Sequence, residues 1–163
     1  MKTHHKNTKR FVSKVFEDVF DRYDLMNDLM SLGVHRLWKK TFISWLGPQK
    51  NTSLIDVASG TGDIAKLYLD KVGLEGSVSC VDENKDMLSL SKKKLGKIKS
   101  IEWFCNNAEK LPFKNNQFDY YTISFGIRNV ENISAALREA YRVLKPGGRF
   151  LCLEFSKVEN KIL

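Results

Sequence analysis

A glycine-spaced turn lies between two carboxylates, and these residue types at this spacing could bind a nucleotide. The apolar run 54–57 contains Asp56, and Gly60, Gly62 and an amphipathic segment follow it. This order predicts a strand, a tight turn and a helix, in which the missing Cβ atoms let the backbone approach a ligand closely. Asp82 ends the next apolar run, about 20 residues beyond the turn, which is the spacing at which an acid meets a ribose hydroxyl pair. The stretch therefore predicts an adenosine-type site.

The charge of Asp56 narrows the choice of ligand. The pattern of Gly60, Gly62 and Ala65 also fits a dinucleotide fold, and a tight turn without any ligand is a further alternative. A carboxylate just before the glycines would repel a pyrophosphate, whereas it suits S-adenosylmethionine, which carries an α-amino group and a sulfonium. The Lys-Ser/Thr pair of a nucleoside-triphosphate loop does not follow Gly62. These residues therefore favour S-adenosylmethionine over a nicotinamide dinucleotide.

Strands and helices alternate along the chain from this turn onward. The predicted strands are 54–58, 78–82, 101–105, 118–125 and 150–155, and the helices between them are 63–72, one from Asn84, and 132–144. The alternation predicts an α/β fold, a parallel sheet with helices on both faces. Ligands of such sheets bind at the carboxyl ends of the strands. The polar residues predicted at those ends are Asp56, Asp82, Asn106, Asn107, Ser124 and Glu154.

Two helical patterns precede the first strand. Residues 1–10 are polar and basic and predict a loose tail, after which the first pattern begins at Phe11. The second pattern places three aromatic side chains on one face, those of Trp38, Phe42 and Trp45. They could pack against the sheet or form a lid over an apolar substrate. We predict a single domain, 11–163, made of N-terminal helices over 11–47 and a core over 53–163.

Several side chains are predicted to lie in the core. The helix 132–144 places Ile133 and Leu137 on its inward stripe, together with two alanines. The cysteines lie in apolar, strand-like runs, at Cys80, Cys105 and Cys152. We interpret them as reduced core residues, because their odd number and scatter fit neither a zinc site nor a disulfide framework.

The composition excludes some classes of protein. The chain has 163 residues, 42% of them hydrophobic, and a formal net charge of +8. No apolar run approaches the roughly 20 residues of a membrane span, and the N-terminus lacks a signal core, so we predict a cytoplasmic protein. The positive charge favours nucleic acid or an anionic membrane surface, and a solvated lysine-rich surface is the alternative. We expect no nucleic-acid partner, because no basic motif with interleaved aromatic residues is present.

Three longer runs make the chain similar to a known family. The runs 23–31, 124–130 and 142–149, together with 154–156, resemble the ubiquinone/menaquinone biosynthesis C-methyltransferases, and the resemblance covers about residues 11–158. This implies a Rossmann-like class I methyltransferase fold. Members of the family continue with further helices and an antiparallel strand pair. We therefore expect this chain to be shortened, with the C-terminal antiparallel strands missing.

The resemblance implies S-adenosylmethionine-dependent C-methylation of a polyprenylated hydroquinone. The residues that it assigns to cofactor binding are Asp56, Gly60, Thr61, Asp82, Asn107, Ala108 and Ser124. Asp82 would accept both ribose hydroxyls, and Asn107 with Ala108 would lie along the adenine edge, although a loop asparagine can also serve only its own turn. No metal is expected.

The group that would activate the acceptor is less defined. Arg128 and Asn129 follow the fourth strand, and the guanidinium could stabilise a phenolate or position a water that takes the proton. His35 is the other candidate, since imidazoles exchange protons near neutral pH. The prenylated acceptor implies transient contact with a membrane surface, peripheral at its inner face. The predicted strand 150–155 would form an uncovered edge of the sheet, which allows a homo-oligomer or a biosynthetic complex. Alternatives are another small-molecule or RNA methyltransferase, an inactive cofactor-binding fragment, and a nicotinamide oxidoreductase.

Overall fold

The computed structural model describes residues 34–73 and 75–155. The predicted basic tail, the first helical pattern and the run 23–31 lie outside these residues, as does the stretch that begins at residue 156. Within the described residues, no helix is long and apolar enough to cross a membrane.

The chain divides into two units, residues 1–38 and 39–163. Helix α1, Val34–Leu46, therefore begins in the first unit and ends in the second. Our division of the chain into helices over 11–47 and a core over 53–163 stays a prediction.

Five parallel strands form one sheet. The strands are β1 (Ser53–Val57), β2 (Ser77–Asp82), β3 (Ile101–Cys105), β4 (Phe118–Ser124) and β5 (Leu144–Leu153). The helices after α1 are α2 (Asp63–Val72), α3 (Lys85–Leu95) and α4 (Ile133–Val143), and a short 3-10 helix covers Ile127–Asn129. The spatial order is β3-β2-β1-β4-β5, and every neighbouring pair is parallel. The predicted α/β fold is confirmed, and the strand order reverses between β1 and β4, which is where such sheets bind ligands.

Helices cover both faces of this sheet, as predicted. Along β1, Leu54 packs with the buried side chains of α1, α2 and α3, whereas Ile55 and Val57 pack with those of α4. This follows from the strand period of two, which sends successive side chains to opposite faces. The carboxyl ends of the strands are thus held between two apolar layers, which fixes the polar groups that they carry.

The last strand begins earlier than the sequence predicts. We expected the helix 132–144 to be followed by a strand over 150–155, but β5 already begins at Leu144. Its register against β4 shifts between Phe118 and Tyr120, so that residues 145–148 form an irregularity within the strand. A glycine in this segment, Gly147, has a φ of 80°, which lets the extra residues bend out of the ladder.

The helices do not bury every large apolar side chain of the patterns that predict them. On α1, Phe42 is buried, but Trp45 is 73% exposed, because the buried face is completed by Ile43 and Leu46 instead. On α4 the predicted inward residues Ile133 and Leu137 are also exposed, at 45% and 44%, since the helix packs through its small side chains. All three cysteines are free, but the predicted core position is correct only for Cys80, because Cys105 and Cys152 are exposed on the outer strands.

Candidate functional site

The turn after β1 has a backbone that only glycine accommodates easily at two positions. Gly60 has a φ of 52° and Gly62 a φ of 79°, in the left-handed region. A Cβ on Gly62 would lie 2.7 Å from both Ser91 Oγ and Leu95 Cδ1 of α3. A Cβ on Gly60 would meet nothing within 4 Å. The first glycine therefore leaves open space beside the turn, and the second lets α2 begin in contact with α3.

Asp82 links the end of β2 to this turn. Its Oδ2 accepts a hydrogen bond of 2.8 Å from the Gly60 N–H, and its Oδ1 accepts one of 2.9 Å from the Asn84 N–H. The Asn84 side chain in turn caps α3 by accepting from Asp86 and Met87. Backbone N–H groups of the chain itself thus hold the Asp82 carboxylate at the edge of the sheet. Asp56, the other acid of the sequence pattern, has different partners.

Asp56 is the penultimate residue of β1 and is only 1% exposed. Its Oδ1 accepts a hydrogen bond of 2.8 Å from the Thr122 hydroxyl on β4. No donor in residues 34–73 or 75–155 reaches its Oδ2, which is also buried. Burial raises the pKa of Asp56 to about 7, although the Thr122 hydrogen bond and the Lys39 ammonium lower it. A cation placed beside this carboxylate would offset the cost of ionising it.

An ion-pair cluster holds the first residue of α2. Asp63 accepts hydrogen bonds from Lys39 Nζ of α1 at 2.9 Å and from Lys94 Nζ of α3 at 2.8 Å. Burial alone would raise the pKa of Asp63. The two ammonium groups lower this pKa by more than burial raises it, so it lies well below its usual range. This cluster was not predicted from the sequence. An acid in the first turn of a helix was a visible signal, whereas the partners come from distant parts of the chain.

The loop after β3 begins beside Asp82. The Asn106 N–H donates to the Asp82 carbonyl at 3.2 Å, so this loop starts at the same edge of the sheet. The Asn107 side chain accepts a hydrogen bond of 2.6 Å from the Glu109 N–H and closes a turn. Ala108 is buried against the core of the α4 face. The loop that carries Asn107 and Ala108 thus starts beside Asp82, with the Asn107 side-chain oxygen already engaged in its own turn.

The ends of β4 and β5 carry a second set of polar groups. Arg128 Nη1 lies 2.7 Å from Glu154 Oε1, and its guanidinium carbon lies 5.4 Å from the centroid of the Phe155 ring. Two buried oxygens here, Ser124 Oγ and Glu154 Oε2, have no hydrogen-bond partner among the residues that the structure describes. Asn129 is exposed beside them, and its N–H donates to the Gly126 carbonyl. This part of the edge therefore contains an ion pair and two buried oxygens without hydrogen-bond partners in the described residues.

The two sets meet where β1 and β4 lie side by side. Ala58 and Phe125, the residues that follow these strands, both have a left-handed φ, 52° and 56°. A Cβ on Gly126 would lie 2.3 Å from the Ala58 Cβ, so the two loops are in close contact. Non-glycine residues with a positive φ are strained and occur often at functional sites.

Thr61 and His35 complete the predicted site residues. Thr61 is buried within the glycine turn, between the two glycines. His35 is also buried, but it belongs to the first unit of the chain. Its predicted role therefore stays a prediction. In the described residues no group of three His, Cys, Asp or Glu side chains could hold a metal ion.

A comparison with models of protein families identifies the family of this chain. The model of the ubiE/COQ5 methyltransferase family matches residues 2–163. The chain is a member of the ubiE/COQ5 methyltransferase family. The ubiquinone/menaquinone biosynthesis C-methyltransferase UbiE of Brucella abortus is 54% identical over 158 residues, which cover 93% of this chain and 58% of that protein. The protein of the same name from Rickettsia typhi is 53% identical and is covered to 63%. The chain thus spans about three fifths of the length of these relatives.

Solved structures show the same fold at lower identity. A SAM-dependent methyltransferase from Aquifex aeolicus superposes with a TM-score of 0.68 at 22% identity, covering 76% of this chain and 66% of that one. The YcgJ protein of Bacillus subtilis gives a TM-score of 0.68 at 24% identity, covering 78% and 53%. The Rossmann-like class I methyltransferase fold predicted from the resemblance is therefore confirmed for this ubiE/COQ5 family member, and the described strands include no antiparallel pair.

Proposed function

We propose that this chain binds S-adenosylmethionine at the ends of β1, β2 and β3. The observation that carries the proposal is the Asp82 carboxylate, held 2.8 Å from the Gly60 N–H beside a turn with open space. A carboxylate fixed in this way can still accept hydrogen bonds from both hydroxyls of a ribose, because each oxygen has more than one acceptor position. Family membership supports the same choice of ligand.

The charges at the edge fit a cationic ligand better than an anionic one. The buried Asp56 carboxylate has one oxygen without a donor in the described residues, and Asp56 lies in β1, just before the glycine turn. The negative charge of a pyrophosphate would be repelled by the Asp56 carboxylate. An α-ammonium or a sulfonium would instead stabilise the ionised form of this carboxylate. A nicotinamide dinucleotide is disfavoured for this reason.

We propose C-methylation of a polyprenylated hydroquinone as the reaction, as the relatives' names and the family suggest. S-adenosylmethionine supplies an electrophilic methyl group when it is bound. A ring carbon of the acceptor becomes a strong nucleophile only when the neighbouring hydroxyl loses its proton. Arg128, oriented by Glu154 at 2.7 Å, is suited to stabilise the resulting phenolate, and the exposed amide of Asn129 could hydrogen-bond the ring oxygen. The proton of that hydroxyl would pass to a water that Arg128 positions, and His35 is the alternative acceptor.

A prenylated acceptor resides in the bilayer, so the proposal includes transient contact with a membrane surface. The net charge of +8 supports attraction to anionic headgroups. We expect the chain to sediment with vesicles that contain phosphatidylglycerol and not with neutral ones. Equal recovery in both supernatants would remove this part of the proposal.

The deciding experiment is a calorimetric titration of the purified chain with S-adenosylhomocysteine, with circular dichroism on the same sample. We expect one-to-one binding to a folded chain, and weaker or no binding of NADH. A folded chain that binds NADH and not S-adenosylhomocysteine would overturn the proposal. Transfer of a labelled methyl group to demethylmenaquinol then separates a methyltransferase from a domain that only binds the cofactor.

A further inference from the structure

A bidentate ion pair on α4 faces the loop that joins β3 to β4. Arg142 Nε lies 2.6 Å from Glu139 Oε1, and Arg142 Nη2 lies 2.7 Å from Glu139 Oε2. The side chains are 30% and 18% exposed, so the pair lies partly inside the protein. The Arg142 hydrogen bond is the main reason that the pKa of Glu139 is lowered. The geometry keeps the guanidinium plane and the carboxylate in a fixed relative orientation.

This pair binds the loop backbone from both sides. Glu139 Oε2 accepts the Leu111 N–H at 2.7 Å, while Arg142 donates to the Leu111 carbonyl at 3.1 Å and to the Phe113 carbonyl at 2.7 Å. Arg142 also donates to the Asn115 side chain at 3.0 Å. A single ion pair thus satisfies four polar groups of one loop.

The start of the same loop is tied to the start of the same helix. Glu109 Oε1 accepts a hydrogen bond of 2.9 Å from the N–H of Asn132, the residue that caps α4. Glu109 also donates its own N–H to the Asn107 side chain. A continuous set of contacts therefore runs from α4 through Glu109 to Asn107.

Apolar packing makes the loop rigid between these two anchors. The Phe113 ring stacks edge to face on Phe104 at 4.8 Å and on Phe118 at 4.9 Å between centroids. Ala108 and Leu111 are buried in the same cluster, against the α4 face. A change at the anchors would therefore move the loop as a unit, because its side chains interlock with the sheet.

We infer that Glu139 and Arg142 are positioning residues that set the place of Asn107 and Ala108 against the purine of the bound ligand. The inference rests on the proposed function, since it takes the loop to lie along the adenine. Neither residue touches the ligand in this account. They act through the Leu111 and Phe113 backbone, which continues from Ala108 within a few residues.

Lysine cannot replace Arg142 in this role. An ammonium keeps the charge, but it lacks the planar fork that reaches Glu139 and two carbonyls at once. The Arg142→Lys variant should therefore keep much of the ion-pair attraction and lose the alignment of the loop. Arg138→Lys is the matched control, because Arg138 is an exposed arginine on the same helix.

The test compares the affinities of S-adenosylhomocysteine and S-inosylhomocysteine, which differ at the purine edge. We expect the wild-type chain to prefer the adenine ligand. We expect Arg142→Lys to lower this preference about tenfold, which corresponds to the loss of about one well-aligned hydrogen bond. Arg138→Lys should change it less than twofold. Faster hydrogen exchange at the Leu111 amide in Arg142→Lys would accompany the loss.

The outcomes separate the inference from the function on which it rests. A wild-type chain that binds neither ligand overturns the proposed function. A wild-type chain that binds both equally, or an Arg142→Lys chain whose preference is unchanged, overturns the inference alone, and so does an equal weakening of both ligands, which a purely structural role would produce. If Arg142→Lys does not fold, Glu139→Gln replaces it, since glutamine retains an oxygen for the Leu111 N–H and loses the ion pair.

Discussion

Two groups of polar residues lie at the carboxyl ends of the strands, one at β1 and β2 and the other at β4 and β5. The two regions differ in whether their buried polar atoms have hydrogen-bond partners. At the first, both oxygens of Asp82 accept backbone N–H groups that lie within the neighbouring turns. At the second, Ser124 Oγ and Glu154 Oε2 are buried without a partner in the ranges that the structure describes. The first region is organised before any ligand arrives, whereas the second still has hydrogen-bonding capacity to fill.

Asp56 lies between the two regions and shares a property of each. One oxygen is satisfied by Thr122 of β4, and the other has no donor in residues 34–73 or 75–155. The difference between the regions has a physical basis, since an unsatisfied buried polar group costs about 1–3 kcal/mol. Such a cost is tolerated where a ligand or another part of the protein supplies the missing partner. Substitutions in and between the two regions test whether they differ in this way.

The largest effect is expected from Asp56→Asn. The folded chain has a pKa of about 7 at this carboxyl, against 3.8 as the reference, so the folded state binds the proton more tightly. Stability from this group is complete below about pH 4 and is lost as the pH rises through 7. Asparagine has no charge to desolvate. At pH 8 the variant should therefore have a free energy of unfolding higher by on the order of 4 kcal/mol, and the gain should vanish near pH 4.

Chemical denaturation of both proteins at several pH values measures this difference. The exposed acid Asp86, changed to asparagine, is the control and should give no such pH dependence. Equal stability of the wild type and Asp56→Asn at pH 8 would show that Asp56 is not held as a buried acid. Proton release on S-adenosylmethionine binding, measured in buffers of different ionisation enthalpy, should disappear in Asp56→Asn.

Asp82→Asn should give the next largest effect. In the proposed site, the amide would lack the charge that strengthens hydrogen bonds from the ribose hydroxyls, and its NH2 group would face an N–H donor of the turn. We expect S-adenosylhomocysteine to bind about 100-fold more weakly, which is about 2.7 kcal/mol. A calorimetric titration measures it, and an affinity within threefold of the wild type would contradict the assignment of Asp82 to the ribose.

Gly126→Ala should separate the two regions by pushing their loops apart. The new methyl group would lie 2.3 Å from the Ala58 Cβ, so the backbone at the ends of β1 and β4 must move, at a cost of about 1–3 kcal/mol. Gly60→Ala is the control, because its methyl group would meet nothing within 4 Å, and only its left-handed φ of 52° costs energy, about 1 kcal/mol. Thermal unfolding of both variants gives the comparison, and equal destabilisation would argue against close contact of the loops.

Glu154→Gln should have the smallest effect on cofactor affinity. The change removes the charge partner of Arg128 in the β4–β5 region and leaves the β1–β2 region untouched. We expect less than a twofold change in the dissociation constant of S-adenosylhomocysteine, together with slower methyl transfer. A large loss of affinity would mean that the β1–β2 and β4–β5 regions form one binding site and do not act separately.

The local parts of the fold were accessible from residue patterns. The glycine turn, the strand before it and the acid that ends β2 were all predicted, and β3 and α2 have the predicted boundaries. Each of these depends on interactions within a few residues, such as apolar periodicity and glycine conformations. The early start of β5 was missed, because a strand that includes Pro146 and two glycines has no strand pattern of its own and forms only against β4.

The order of the elements and the kinds of groups at the strand ends can be predicted from residue patterns, since both follow from local period and spacing. Tertiary structure decided which of those groups meet. The pairing of Lys39 and Lys94 with Asp63, and of Arg142 with the loop after β3, joins distant segments that no spacing rule connects. It also decided that Asp56 is buried and raised in pKa whereas Asp82 is held by backbone N–H groups, because burial depends on the layers packed around each strand.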